Sequence, residues 1–268
     1  SNVFLLNILK KKAKNIIIIS EKKNNLLYLL SKKLDLFYIE HKKNIGGRYS
    51  VLSEVGILPA YLMGLNIFKI RSKIKDSLSK KNKSLLKEST TKLANIMNTK
   101  KFSNLVLLNY CPELEKFLFW CQQLLAESLG KKSKGLLPSI SNAPKDHHSL
   151  LQLYLDGPRD KIFNIFSLEK NSNLRINLSK NKNISSYLNK KKISRIKISQ
   201  KNALIKAFEK KKIPFREFRI KTINEEVLGK LFSIFIVETI ILGKLLNINP
   251  FDQPAVEQVK IDTKNFLT

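Results

Sequence analysis

Four stretches of this 268-residue chain hold side chains that can carry charge or move a proton. In GGRYS, residues 46–50, two glycines free the backbone to approach a ligand, and Arg48 adds a charge that pH does not remove. An exposed arginine at a helix start is the plainer reading of the same residues. AESLGKKSKG, residues 126–135, puts Glu127 near the polar end of an otherwise apolar helix, where a carboxylate is either simply solvated or placed for proton transfer. KDHHSLLQLYLDGPRD, residues 145–160, holds two of the three histidines. His148 there could act as an acid or base, cap a helix or fill a core. Without nearby cysteines or spaced carboxylates, the pair makes a poor metal site. NPFDQPAVEQVK, residues 249–260, has two prolines fixing its path and Lys260 after a turn of helix; by itself it reads as an ordered tail.

The elements that must carry these side chains alternate between helical and strand periodicity. The pattern predicts a helix over 3–12, a strand over 15–20, a helix over 25–33 and a strand over 36–40, which is the text of a parallel sheet with crossover helices. An apolar helix over 50–63 follows the Gly46-Gly47 turn, then a charged, helix-prone run over 68–99. A second αβ unit begins with a strand over 104–110. Its helix over 112–130 has Leu114, Phe117, Leu118, Cys121, Leu124 and Leu125 at helical spacing. A Gly/Pro/Ser loop, a helix over 149–155, a strand over 161–168, and a polar loop or β excursion over 169–192 come next. A helix over 200–211, a strand over 215–222 and a helix over 224–246 complete the unit, and the tail from Asn249 runs over the surface. The opening on a helix is unusual for such a sheet, and Ser1 in place of Met points to a fragment or processed chain.

The net charge of +29 invites a nucleic-acid or membrane reading. Only seven of the fifty basic residues are arginine, the side chain that phosphate and guanine contacts favour, and the lysines arrive with abundant Asn and Ile. That is the signature of an AT-rich genome on a solvated surface. The chain is therefore expected to have no specific nucleic-acid partner. Residues 231–248 reach the length of a membrane span but include Glu238 and Lys244, so a buried helix of a soluble protein explains them better. Cys111 and Cys121 read as core filler in a reducing, cytoplasmic setting.

Taken together, GGRYSVLSEVGILPAYLMG, WCQQLLAESLGKKSKGLLP, DHHSLLQLYLDGPRDKIF and NPFDQPAVEQVK closely resemble, in order, the signatures of the glucose-6-phosphate isomerase family over residues 45–260. The resemblance implies an α/β fold: two sugar-isomerase (SIS) αβα sandwich domains with mainly parallel sheets. The remainder of the first would be 1–75, incomplete at its N-terminus, the second 76–248, and a tail with active-site residues 249–268. It implies interconversion of glucose 6-phosphate and fructose 6-phosphate through a cis-enediol, without cofactor or metal. Glu127 matches the base that passes the proton between C2 and C1, Arg48 the cation steadying the enediolate, and His148 the ring-opening acid. Lys260 matches a tail lysine near the ring oxygen, Gln253 a substrate-contacting glutamine, and Gly47 lies in the substrate-binding turn.

The chemistry asks for such groups. A sugar C–H is a feeble acid that needs a carboxylate within about 3 Å, and a fixed cation beside the developing oxyanion is commonly worth a few kcal/mol. The family's phosphate-gripping S-x-S-x-x-T loop is expected just ahead of Ser1, and His147 stands where glutamine is common. Because the histidine of this family reaches the neighbouring subunit's site, the resemblance also implies a homodimer. The competing expectations are a non-catalytic sugar-phosphate-binding module, disfavoured by having all four of Arg48, Glu127, His148 and Lys260, and a nucleic-acid binder motivated only by charge.

Overall fold

The structure is a computed structural model and describes residues 15–169, 174–177 and 186–267. The helix expected over 3–12 lies outside the described residues, as does most of the middle of 169–192. Strands β1 (Ile17–Ser20) and β2 (Phe37–Glu40) pair in parallel, Ile17 opposite Phe37. A parallel pair needs a crossover, which helix α1 (Leu26–Lys33) supplies. Asn25 caps it, its side chain accepting from the Tyr28 N–H at 2.9 Å. Ile18, Leu30 and Leu36 make the small core of this unit.

The helix expected over 50–63 is two pieces, a 3-10 helix Gly47–Leu52 and α2 (Glu54–Leu62). Ser53 breaks them: its backbone is extended and its hydroxyl accepts from the Val55 N–H, starting a new helix. The charged run is likewise divided into α3 (Ile67–Ser72), a 3-10 turn Lys75–Leu78 and α4 (Lys80–Asn98).

Four parallel strands form the main sheet: β3 (Asn104–Asn109), β4 (Leu137–Asn142), β5 (Lys161–Leu168) and β6 (Phe215–Ile220), ordered β4-β3-β5-β6. Asn104 lies opposite both Leu137 and Lys161. Strands β3 and β5 are buried on both faces, which is why they read as unbroken apolar runs. The remaining helices are α5 (Glu115–Leu129), α6 (His147–Asp156), α7 (Ile193–Lys210), α8 (Glu225–Leu245) and α9 (Pro254–Leu267). On one face, Leu105, Leu107 and Phe166 pack with α5 and α8 side chains such as Leu118, Leu124 and Phe235. On the other, Val106, Leu108, Phe163 and Ile165 meet Tyr154 of α6 and Leu204 and Phe208 of α7.

Strand β4 occupies what reads as a Gly/Pro/Ser loop. It is an edge strand, bonded only to β3, so it needs no long apolar run and tolerates Pro138. Helix α7 begins at Ile193, ahead of the expected Gln200, and α6 already at His147. The close crossing of α3 on α8 depends on Gly229, where a Cβ would fall 1.8 Å from the Ile70 carbonyl oxygen. In α8 the carboxylate of Glu238 is buried and accepts from Arg216 Nη1 at 2.7 Å, and no helix among the described residues is long and apolar enough to cross a membrane. Both cysteines are buried and free.

Candidate active site

Helix α5 builds one side of the site. Its apolar stripe, Phe117, Leu118, Cys121, Leu124 and Leu125, is drawn into the core, and this turns Gln123 and Glu127, four residues apart, outward together. Gln123 Nε2 donates to Glu127 Oε1 at 2.9 Å. Next to Glu127, the buried hydroxyl of Ser128 accepts from Arg48 Nε at 2.8 Å.

Arg48 arrives from the 3-10 helix and is 4% exposed. Its Nη2 donates to the carbonyls of Pro250 and Asp252 at 2.6 and 3.0 Å. Its Nη1 makes two longer contacts, 3.4 Å to Glu127 Oε2 and 3.5 Å to Gln253 Oε1. The guanidinium fork thus ties the Gly46–Gly47 turn, α5 and the tail together, a task for Arg rather than Lys. Trp120 Nε1 donates to the Arg48 carbonyl at 3.0 Å, and Tyr49 bridges Ser128 and the Pro250 carbonyl through its hydroxyl. Burial pushes the Tyr49 phenol above its ordinary pKa, so it stays a donor.

The lysines after α5 fasten the tail. Lys131 Nζ bonds the Asn249 and Asp252 carbonyls and Asp252 Oδ1 at 2.5, 2.6 and 2.6 Å. Its bond holds the Asp252 carboxyl below the usual range. Lys134 Nζ donates to the Leu246 carbonyl, a free acceptor at the end of α8, at 2.7 Å. Ser128, Lys131, Tyr49 and Trp120 go unremarked in the sequence, Lys131 being hidden among 43 lysines. Between α5, the 130–138 segment and residues 253–256 lies an open cleft of about 680 Å³, with Glu127, Lys131 and Gln253 in its wall.

Arg48, Glu127 and Gln253 are therefore brought together. Gly47 lies beside them in ordinary helical backbone, and a Cβ there would meet nothing within 4 Å, so the fold of this chain does not itself require glycine. His148 and Lys260 are not brought to Glu127. Lys260, on α9, bonds Glu257 of its own helix at 2.7 Å, and no residue of α9 is buried. His148 is exposed in the first turn of α6. That helix leaves the C-terminal end of β4, whereas Glu127 lies by its N-terminal end, beside Leu137 and Pro138. A six-residue strand separates them, about 20 Å. His147 takes the inward place instead: its Nε2 and the Tyr110 hydroxyl share a hydrogen bond at 2.7 Å, and burial holds its pKa below the ordinary value.

No family model matches the chain. Among curated proteins, it is 35% identical over 238 residues to a probable glucose-6-phosphate isomerase of Methanococcus maripaludis, covering 85% of this chain and 52% of that one. It is 34% identical over 230 residues to a glucose-6-phosphate isomerase of Methanocaldococcus jannaschii, covering 81% and 55%. For that of Mycoplasmopsis synoviae the figures are 32% over 232 residues, 81% and 52%. The chain spans about half the length of these relatives. The fold is shared with a hypothetical protein from Thermus thermophilus, at a TM-score of 0.87 and 24% identity over 100% of this chain and 67% of that chain. It is shared too with a glucose-6-phosphate isomerase from Chlamydia trachomatis, at 0.75 and 18% over 99% and 55%. With the motif order and the shared α/β fold, these similarities make the chain a homologue, across the part matched, of the glucose-6-phosphate isomerase family.

Proposed function

We propose that the protein is an aldose–ketose isomerase that interconverts glucose 6-phosphate and fructose 6-phosphate in the cytoplasm. Glu127 is the base, and a second copy of the chain completes the site. The observation that carries this reading is that buried Arg48 contacts both Glu127 and Gln253, two residues in the wall of one open cleft.

In the opened sugar, the Glu127 carboxylate takes the proton from C2. The electrons of that C–H bond become the C1=C2 double bond of a cis-enediol, and charge gathers on the carbonyl oxygen. Arg48 Nη1 is suited to that oxygen: its present contacts are the longest of the guanidinium, while Nε and Nη2 stay anchored. A cation held by the protein does not have to reorganise as the charge develops. The C1 oxygen then takes a proton and the C2 hydroxyl gives one up, a net shift of one proton between the two oxygens, and returning the carbon-bound proton from Glu127 to C1 gives the ketose and restores the carboxylate. Gln253 contacts the sugar, and the space beside Gly47 admits it. His148, exposed and remote from its own chain's Glu127, opens the ring in the neighbouring subunit of a homodimer, and Lys260 on α9 approaches the ring oxygen.

The test is a coupled assay of the full-length protein. Glu127→Gln should slow isomerisation by at least about a hundredfold with sugar-phosphate binding largely kept. A near-normal rate removes Glu127 as the base. Binding without turnover in the unaltered protein would favour the alternative of a sugar-phosphate-binding module, to which the separation of His148 and Lys260 from Glu127 within one chain lends its weight.

A further inference from the structure

His41 follows β2 and stands where three parts of the chain meet. Its backbone N–H donates to the Ser20 carbonyl at the end of β1, at 2.9 Å. Its ring Nε2 lies 2.8 Å from the Ile45 carbonyl oxygen, one residue before Gly46. Its Nδ1 makes a short contact with Oε1 of Glu54, the first residue of α2. The side chain is 13% exposed. A carbonyl and an ionised carboxylate can only accept, so the ring faces two acceptors. A neutral imidazole has one N–H and leaves one of them unserved; two donors exist only in the imidazolium.

We propose that His41 is held as an imidazolium that clamps both ends of the 45–54 segment and so positions Arg48, which makes the loop carrying the active-site cation sensitive to proton loss at His41. The consequence for catalysis rests on the reading of Arg48 given above; the clamp itself does not. Residues 46–52 between the two clamped ends include the turn from which Arg48 reaches Glu127.

The charged groups around His41 agree with this state. Glu54 faces it from α2 and Glu21 from the turn after β1, with Lys23 and Lys43 drawn to Glu21. Burial works against the charge, but donation to Glu54 and to the Ile45 carbonyl outweighs it, and the ring titrates above its ordinary value. Burial likewise pushes Glu54 up, yet the same bond holds its carboxyl below the ordinary value. With the folded pKa above the unfolded one, the clamp is complete below pH about 6.5 and is lost as pH rises through the folded value.

Imidazole 15N NMR of the full-length protein tests this, with only three histidines to assign. At pH about 6.5 both ring nitrogens of His41 should carry protons. The midpoint of its titration should lie above the ordinary histidine value. Amide exchange over residues 46–52, corrected for intrinsic base catalysis, should quicken at least about tenfold as pH passes that midpoint. In Glu54→Gln the amide oxygen still accepts but carries no charge, so the midpoint and the exchange transition should both fall by about a unit. A single N–H on His41 at that pH, or exchange over 46–52 that ignores its titration, overturns the clamp. Neither readout needs turnover: a protein with the clamp and no isomerase activity would overturn the functional reading alone.

Discussion

The two ends of the main sheet are built on opposite principles. At the N-terminal end of the strands, Arg48 is buried with each of its nitrogens bonded to protein acceptors, and the tail is strapped over it by Lys131. At the C-terminal end, His147 is turned in against Tyr110, and His148 stands in solvent. Open parallel sheets usually bind ligands at the C-terminal end of their strands. In this chain, the carboxylate and cation of the proposed chemistry sit at the other end, where a loop and a tail from outside the sheet converge. The first end is preorganised within the chain. The second presents a group that one chain does not bring to its own Glu127, and in the proposed homodimer the symmetry between two chains would supply it.

The largest effect should come from breaking the preorganised end. Arg48→Met removes a buried cation and takes one donor each from the Pro250 and Asp252 carbonyls and from Ser128, leaving only the Tyr49 hydroxyl and Lys131 to serve them. About 3 kcal/mol of stability should go with it, read by chemical denaturation, together with nearly all activity. A variant as stable and active as the parent would show that this end is not the anchored one.

The other end should fail differently. His148→Asn should slow isomerisation by about a hundredfold with the denaturation midpoint unchanged, because the side chain is exposed. Mixing chains carrying Glu127→Gln with chains carrying His148→Asn and allowing subunits to exchange should then restore about a quarter of the parental rate. In a random mixture half the dimers are mixed, and each mixed dimer has one site with both groups intact. No restoration would mean that His148 serves the chain it belongs to, or none.

The smallest effect concerns His147. Its pKa is held low by burial, so stability should fall as pH drops from about 6.5 through the folded value, where the unfolded chain takes up a proton that the folded one resists. His147→Gln can still accept from Tyr110 and should flatten that dependence in thermal melts. An unchanged slope would place the titration elsewhere.

Much of this was legible beforehand because it is local. The apolar spacing along 112–130 gives α5, and buried strands such as LVLLN and IFNIFSL announce a parallel sheet. The resemblance carried by GGRYS and AESLG chose the residues. What escaped was whatever depends on a neighbour. LPSISN has no strand pattern of its own and becomes β4 only because β3 offers its edge. The extra first turns of α7 begin at Ile193, where the sequence is Lys- and Ser-rich and the apolar stripe is thin. Ser53 divides a helix that composition alone would run together.

The sequence by itself determined most of the alternation of strands and helices, β4 excepted, the faces they bury and the residue types able to move a proton, since these are written in spacings of two to four residues. Only the tertiary structure decided that Arg48 meets Glu127 across 79 positions and Gln253 across 205, that Lys131 fastens the tail and Lys134 the end of α8, and that His148 lies a full strand from Glu127. Such meetings are fixed by packing and by the need of buried polar groups for partners, and neither acts over a range that a reading along the chain can follow.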